Sequence, residues 1–424
     1  SSVKLTKCEG APSAHPPGGR GDPAMRLHLT TLAADGDGPF NLDLDPGTSL
    51  GELRRQVQEV TGVAPSRQRL LLGAELLAGD GSLGEAGAED GAWLTLVVAC
   101  APMVLTNSTD RSQKVWSVET GLCLQTCRGH DGPVHTAAFS PDGTAVLTAS
   151  ADRSSRFWNT ETGHCRHALL GHERGVNAAA FSPDGALVAT ASDDRTARLW
   201  SAETGVCLQT LSDHGDGVLS AAFAPEGRSV LTTAESMAKL WSVQSGQCLQ
   251  TFCGHKGEVH AALFSPSGAS VLTASNDKTA RLWDVETGQC LQALCGHDGT
   301  VRSAVFSHDG AQVLTASADR SARLWSAGDG RCTQTLEGHA GRVNSAVLSP
   351  DGLEALTAGT DCIAQLWNTR AGRCERQLRG HEGCVYSARF SADGATLLTA
   401  SADGSAMLWS RDTGRCTHGQ RAAA

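Results

Sequence analysis

Downstream of residue 100 the chain alternates short apolar runs with turns, and the alternation is periodic. Ala137-Ala138-Phe139 and Val146-Leu147-Thr148 flank the turn Ser140-Pro141-Asp142-Gly143, and a second turn carrying Asp152 leads to Trp158. The order returns with Ser182-Pro183-Asp184-Gly185, Asp194 and Trp200, and later with Asp277, Asp319, Asp361 and Asp403. Trp116, Trp158, Trp200, Trp241, Trp283, Trp325, Trp367 and Trp409 lie 42 residues apart, apart from one interval of 41. A His precedes each of the last seven, at His130, His172, His214, His255, His297, His339 and His381. Runs this short, bounded by Gly, Pro and Asp, predict strands. A fixed period predicts one structural unit per repeat, and four strands per unit arrayed around an axis predict a mainly β propeller.

The Gly-His pair, the Asp turn and the Trp strand recur together, and in this they resemble the WD-repeat family over about residues 103 to 418. The Trp-Asp pair itself survives only at Trp283-Asp284. In that family a His, a Ser or Thr on the second strand, the turn Asp and the Trp form a buried hydrogen-bonded tetrad. The resemblance therefore implies one tetrad of His130, Thr148, Asp152 and Trp158, another of His172, Thr190, Asp194 and Trp200, and so on around the ring. A buried Asp needs donors, and imidazole, hydroxyl and indole N–H supply them. The repetition of an Asp-His-Thr set marks it as structural and not catalytic. Histidines on neighbouring blades with no second ligand nearby do not form a metal site, so neither metal nor cofactor is expected.

One repeat breaks the pattern. It has Asp213-His214 in place of Gly-His, and Glu235-Ser236 where the turn Asp belongs, so its tetrad is expected to be incomplete. Seven full repeats are preceded by a half-repeat, Val104-Leu105-Thr106, Asp110 and Trp116. It supplies the second and third strands of an eighth blade, with an outer strand near Leu122 to Thr126. The innermost strand has two solutions: Leu94 to Val98 serves, or the ring closes at seven and the half-repeat packs on its edge. Eight is the favoured number.

Residues 25 to 99 follow another pattern. Met25 to Leu32 and Phe40 to Leu44 alternate about the turn Asp35-Gly36-Asp37-Gly38, which predicts a hairpin. Thr48 or Ser49 then caps a helix whose Leu50, Leu53 and Val57 share a face. Gln68 to Leu72 and Trp93 to Val98 read as two further strands. Hairpin, helix and two strands resemble ubiquitin, with Val63-Ala64-Pro65-Ser66-Arg67-Gln68-Arg69-Leu70 as the best local match. The last strand runs on through Ala99-Cys100-Ala101-Pro102 and not into a free Gly-Gly, so a built-in α+β β-grasp domain is expected in place of a conjugated modifier. The resemblance implies an apolar recognition patch at Leu32, Leu71 and Val97. The expected organisation is a disordered leader (1–24), a ubiquitin-like domain (25–99), a propeller of seven or eight blades (100–418) and a tail (419–424).

Composition narrows the function. Lys and Arg number 35 against 45 Asp and Glu, a formal net charge of −10, which argues against nucleic acid as a partner. No apolar run approaches a bilayer span. Cys123, Cys165, Cys207, Cys248, Cys290, Cys332, Cys374 and Cys416 each follow a Trp by seven residues. Equivalent positions on successive blades are too far apart to bridge, so free thiols in the cytoplasm or nucleus are expected. Of the common catalytic motifs, neither a P-loop nor HExxH occurs.

Function in a propeller sits at the ends of the ring. The residues after the first-strand Val of each repeat are His135, Asn177, Leu219, His260, Arg302, Asn344 and Tyr386, with Arg342 just before one such Val. Tyr386, Arg302 and Arg342 are the leading partner contacts, because Tyr and Arg dominate binding hot spots; His135, His260, Asn177 and Asn344 are secondary. A second basic set, Arg111, Arg153, Arg195, Lys278 and Arg320, follows the turn aspartates. The expected function is a non-catalytic scaffold. Its propeller binds a protein or peptide, and its ubiquitin-like domain docks to ubiquitin receptors, the proteasome or a ubiquitin ligase. The alternative is a scaffold for signalling, ciliary or cytoskeletal complexes without a ubiquitin role; a propeller enzyme is the minor one.

Overall fold

The computed structural model describes residues 25–31, 40–45, 47–61, 68–72, 75–77, 82–83, 93–98, 103–107, 111–118, 120, 122–391 and 393–421. The chain divides into two compact units between Ala101 and Pro102.

In the first unit, β1 (Met25–Thr31) pairs antiparallel with β2 (Phe40–Leu44), as the alternation predicts. The helix α1 (Leu50–Thr61) begins where Ser49 Oγ accepts the Glu52 N–H at 3.2 Å, satisfying a donor that the first turn leaves free. Leu50, Leu53 and Val57 fall on one face and are buried with Leu42, Leu44, Leu70 and Leu94. β3 (Gln68–Leu72) and a two-residue β4 (Glu75–Leu76) complete the sheet with β5 (Trp93–Val98), in the order β2-β1-β5-β3-β4. β5 is parallel to β1 and antiparallel to β3. This is a ubiquitin-like domain.

The second unit is an eight-bladed propeller. Blade 1 consists of β6 (Met103–Asn107), β7 (Ser112–Ser117) and β8 (Cys123–Arg128). Blades 2 to 8 are four-stranded meanders spanning 134–170, 176–211, 218–253, 259–294, 301–337, 343–379 and 385–421. The last strand runs to Arg421, past the expected boundary at 418. In each full blade the strand opened by the buried Val lies at one edge of the sheet and the Cys strand at the other. Each Cys stands opposite the Trp of the third strand, at an irregularity in the register (Trp200↔Cys207, Trp325↔Cys332).

The apolar core lies between blades and not within them. Ala145, Leu147, Phe157 and Leu169 of blade 2 pack on Val188 and Trp200 of blade 3, and the same arrangement joins Leu314, Leu324 and Leu336 of blade 6 to Trp367 of blade 7. A blade on its own would leave its apolar faces uncovered, so each needs its neighbours: blade 3 packs Val188 and Trp200 against blade 2 and Ala189, Ala191 and Leu199 against blade 4.

Eight blades form, but Leu94 to Val98 does not complete the eighth. That segment is the interior β5 of the ubiquitin-like sheet, with hydrogen-bonded neighbours on both sides. A strand already paired on both edges has no edge left to offer another sheet. Among the described residues blade 1 therefore has three strands.

Candidate interaction surface of the propeller

The implied tetrads form. His130 Nδ1 lies 2.6 Å from Asp152 Oδ2 and its Nε2 lies 2.7 Å from Thr148 Oγ1, which also accepts the Trp158 indole N–H at 3.0 Å. His172, Asp194, Thr190 and Trp200 repeat this at 2.7, 2.7 and 2.9 Å. Burial lowers the pKa of His172 more than Asp194 raises it, so the imidazole is neutral. Burial opposes ionisation of Asp194, but bonds from Thr196, His172 and the Glu173 N–H outweigh it and hold the carboxyl at about 2. A neutral ring beside a carboxylate donates from Nδ1 and accepts the Thr hydroxyl at Nε2. The hydroxyl is thus fully buried and committed on both sides, which suits a clamp between strands and not a nucleophile.

Blade 4 departs from this. His214 Nε2 keeps Thr232 at 2.9 Å, and Trp241 keeps its bond at 2.8 Å, but among the described residues the buried His214 Nδ1 has no side-chain partner. Burial, with the nearby Lys239 second, pushes the ring down to about 4. The tetrad is incomplete because no Asp stands in the turn, where Glu235 takes a left-handed conformation (φ 49°). Lys239 instead reaches Asp213, with Nζ 2.6 Å from Oδ2.

The basic residues after the turn aspartates have a backbone explanation. Arg111, Arg153, Arg195, Lys278 and Arg320 all sit at φ between 69° and 74°, where blade 8 has Gly404 at 76°. The turn places them, one per blade, at equivalent points.

Of the rim residues, Tyr386 is 61% exposed, and His135, Arg302 and Arg342 are exposed. His260 is half-buried, 2.8 Å from Asn276 Oδ1. Asn177 donates to Asp193 and to the Val218 carbonyl of the next blade, and Asn344 donates to the Val385 carbonyl at 2.9 Å. These two amides brace adjacent inner strands. Tyr386 and His135 come together, with Leu105, Thr106, Lys114 and Trp116, around a cavity of about 460 Å³ where blade 8 meets blades 1 and 2. Arg389 was not among the expected contacts. It lies on the inner strand of blade 8, in the column otherwise filled by Ala138, Ala180, Ala222, Leu263, Val305 and Val347, and that break in the column was a readable signal.

In the ubiquitin-like domain, Leu32 lies outside the described residues. The backbones of Leu71 and Val97 sit in β3 and β5, opposite Thr95 and Arg69, and their side chains fall outside the described residues.

Residues 121–159, 163–201, 205–242, 246–284, 288–326, 330–368 and 372–410 match the family "WD domain, G-beta repeat". The chain belongs to the WD-repeat family. Residues 30–100 match the ubiquitin family. Over 75 residues the chain is 34% identical to ubiquitin-like protein NEDD8 of Dictyostelium discoideum, covering 94% of that protein and 18% of this one. Among WD-repeat relatives, it is 43% identical over 56 residues to human WD repeat-containing protein 37, 13% of this chain and 11% of that protein. It is 44% identical over 41 residues to mouse F-box-like/WD repeat-containing protein TBL1X, 10% of this chain and 8% of the relative. The chain thus spans about a tenth of the length of these WD-repeat relatives. Among the described residues, no helix is long and apolar enough to cross a membrane.

Proposed function

We propose that this WD-repeat protein is a non-catalytic adaptor: its propeller holds a protein or peptide and its ubiquitin-like domain docks to a ubiquitin receptor, the proteasome or a ligase. The observation that carries the reading is where the repeats differ. The potentially reactive Asp-His-Thr sets are buried and mutually bonded, whereas variation gathers at exposed inner-strand positions, where Tyr386, Arg302, Arg342 and His135 stand. Two binding modules on one chain raise the effective concentration of one partner near the other. Free cysteines, including the exposed Cys123, Cys165, Cys248 and Cys290, support a cytoplasmic or nuclear setting in which thiols stay reduced.

The test immobilises the full chain and measures binding of an isolated ubiquitin-interacting helix by interferometry. Saturable binding that Leu71→Ala abolishes supports the ubiquitin arm. No binding at millimolar helix removes it and leaves a propeller scaffold for other complexes.

A further inference from the structure

Among the described residues blade 1 differs from its seven sisters by one strand. Counting back 42 residues from Val134–Phe139 arrives at Ala92–Val97, most of which is β5 and is paired on both sides in the ubiquitin-like sheet. Among the described residues β6 therefore pairs with β7 alone and presents an open edge. The consequences are visible in burial. Val146 to Thr148 of blade 2 are fully buried, while Val104 to Thr106 of β6 are only half-buried, and Leu105 and Thr106 border the cavity of about 460 Å³. Thr106 accepts the Trp116 indole N–H at 2.8 Å. Its sisters also meet a His, but Ala88 stands 42 residues before His130.

Charge specifies what fits the open edge. The third-strand residue two before each Trp reaches back to the residue preceding the His. Arg156 lies over Gly129, Gln365 donates to the Gly338 carbonyl, and Lys239 pairs with Asp213. In blade 1 this residue is Lys114, whose ammonium stands 5.7 Å from the Trp116 ring centre and, among the described residues, meets no carboxylate or carbonyl. The buried Gln113 amide beside it is also unmatched among the described residues. Of the eight blades only the first and fourth carry Lys here, and the fourth shows the residue that such a Lys takes: an Asp directly before the His.

We propose that blade 1 is a receptor for an extended segment of a partner protein, which adds antiparallel to β6 as its innermost strand. The sister strands define its chemistry: an Asp for Lys114, a His for Thr106, then an aliphatic residue four positions on, a small residue opposite Thr106 and a large apolar residue opposite Val104. Those last two pairings follow the register Thr148↔Ala137 and Val146↔Phe139. Main-chain bonds to an open strand edge supply affinity, and alternate side chains supply specificity. Tyr386 and His135 flank the slot. The inference deepens the peptide-binding reading of the propeller and rests on it.

The probe is a fluorescein-labelled peptide copying Asp213 to Phe223, titrated into the full chain. Expected are saturable binding below about 100 µM and slowed hydrogen exchange at Val104–Asn107. Lys114→Glu should weaken binding on the order of tenfold, and a peptide with Lys in place of its first Asp should recover affinity for that variant. N-methylation of the peptide from the Ser220 to the Phe223 position should abolish binding, because it removes ladder donors without altering the protein. The proposal is overturned by no saturable binding, by binding indifferent to N-methylation, or by β6 amides already as protected as those of Val146–Ser150 without peptide. Such a failure leaves rim docking intact, which is read separately through partner capture by Arg302→Ala and Arg342→Ala.

Discussion

At the residue scale the His–Asp–Thr–Trp set shows how one chemical pattern takes two energetic states in one molecule. In blade 3 every polar atom of His172 is matched, and Asp194, 5% exposed, depends on the ring for one of its donors. Removing the ring strands a buried carboxylate, so His172→Ala should cost about 2–4 kcal/mol. His214 already holds an unmet Nδ1, and its removal relieves that penalty while losing only the Thr232 bond. His214→Ala should therefore cost about 1–2 kcal/mol less than His172→Ala. Urea unfolding of the two variants against the parent measures the difference, and equal losses would contradict the assignment of the orphaned nitrogen.

At the scale of elements, stability resides in the contacts between consecutive blades. Trp325 is 1% exposed, packs among residues of blade 5 and donates to Thr315 at 2.9 Å. Trp325→Ala should cost about 3–5 kcal/mol, the range for emptying an aromatic site in a packed core. Trp116 holds the equivalent position in blade 1 but borders the cavity at the open strand edge. Its truncation forfeits fewer packed neighbours, and Trp116→Ala should cost about half as much. Thermal unfolding of both variants checks this ordering. The second strands show a related contrast without mutation: Ala145–Ser150 of blade 2 is buried throughout, whereas Met103–Thr106 of β6 is only half-buried.

At the scale of the whole molecule, repetition makes small pKa shifts add. Burial holds His130, His172, His214, His255, His297 and His339 below the ordinary value of 6.5. Below pH 6.5 the unfolded chain takes up protons that the folded rings refuse, so this contribution is complete above 6.5 and is lost as pH falls. For His214, held at about 4, the loss at pH 4 is on the order of 3 kcal/mol. Asp194, Asp277 and Asp319, held at about 2, act in the same direction further down, since their contribution is present above 3.8 and lost toward 2. The midpoint of thermal unfolding should fall steadily from pH 7 to pH 4. A flat profile between pH 7 and pH 5 would mean that the imidazoles titrate freely and are not buried as described.

What the sequence determined by itself is whatever repeats. A period of 42 with His, Asp and Trp at constant offsets specifies the blade, its turns and the tetrad, because each is a local pattern confirmed six times or more. The incomplete tetrad of blade 4 was legible for the same reason: Glu235-Ser236 breaks a column that every other full repeat keeps. The helix of the ubiquitin-like domain was equally readable from Ser49, Leu50, Leu53 and Val57. Only the tertiary structure decided which sheet owns Trp93 to Val98. Its alternation suits either sheet, and strand pairing is a competition between distant edges that local pattern does not resolve. The β-grasp sheet holds that strand from both sides, and for this reason blade 1 has three strands among the described residues. The role of Lys114 was hidden for the same cause: an unremarkable residue in its repeat becomes distinctive only once the strand it would face belongs to another domain.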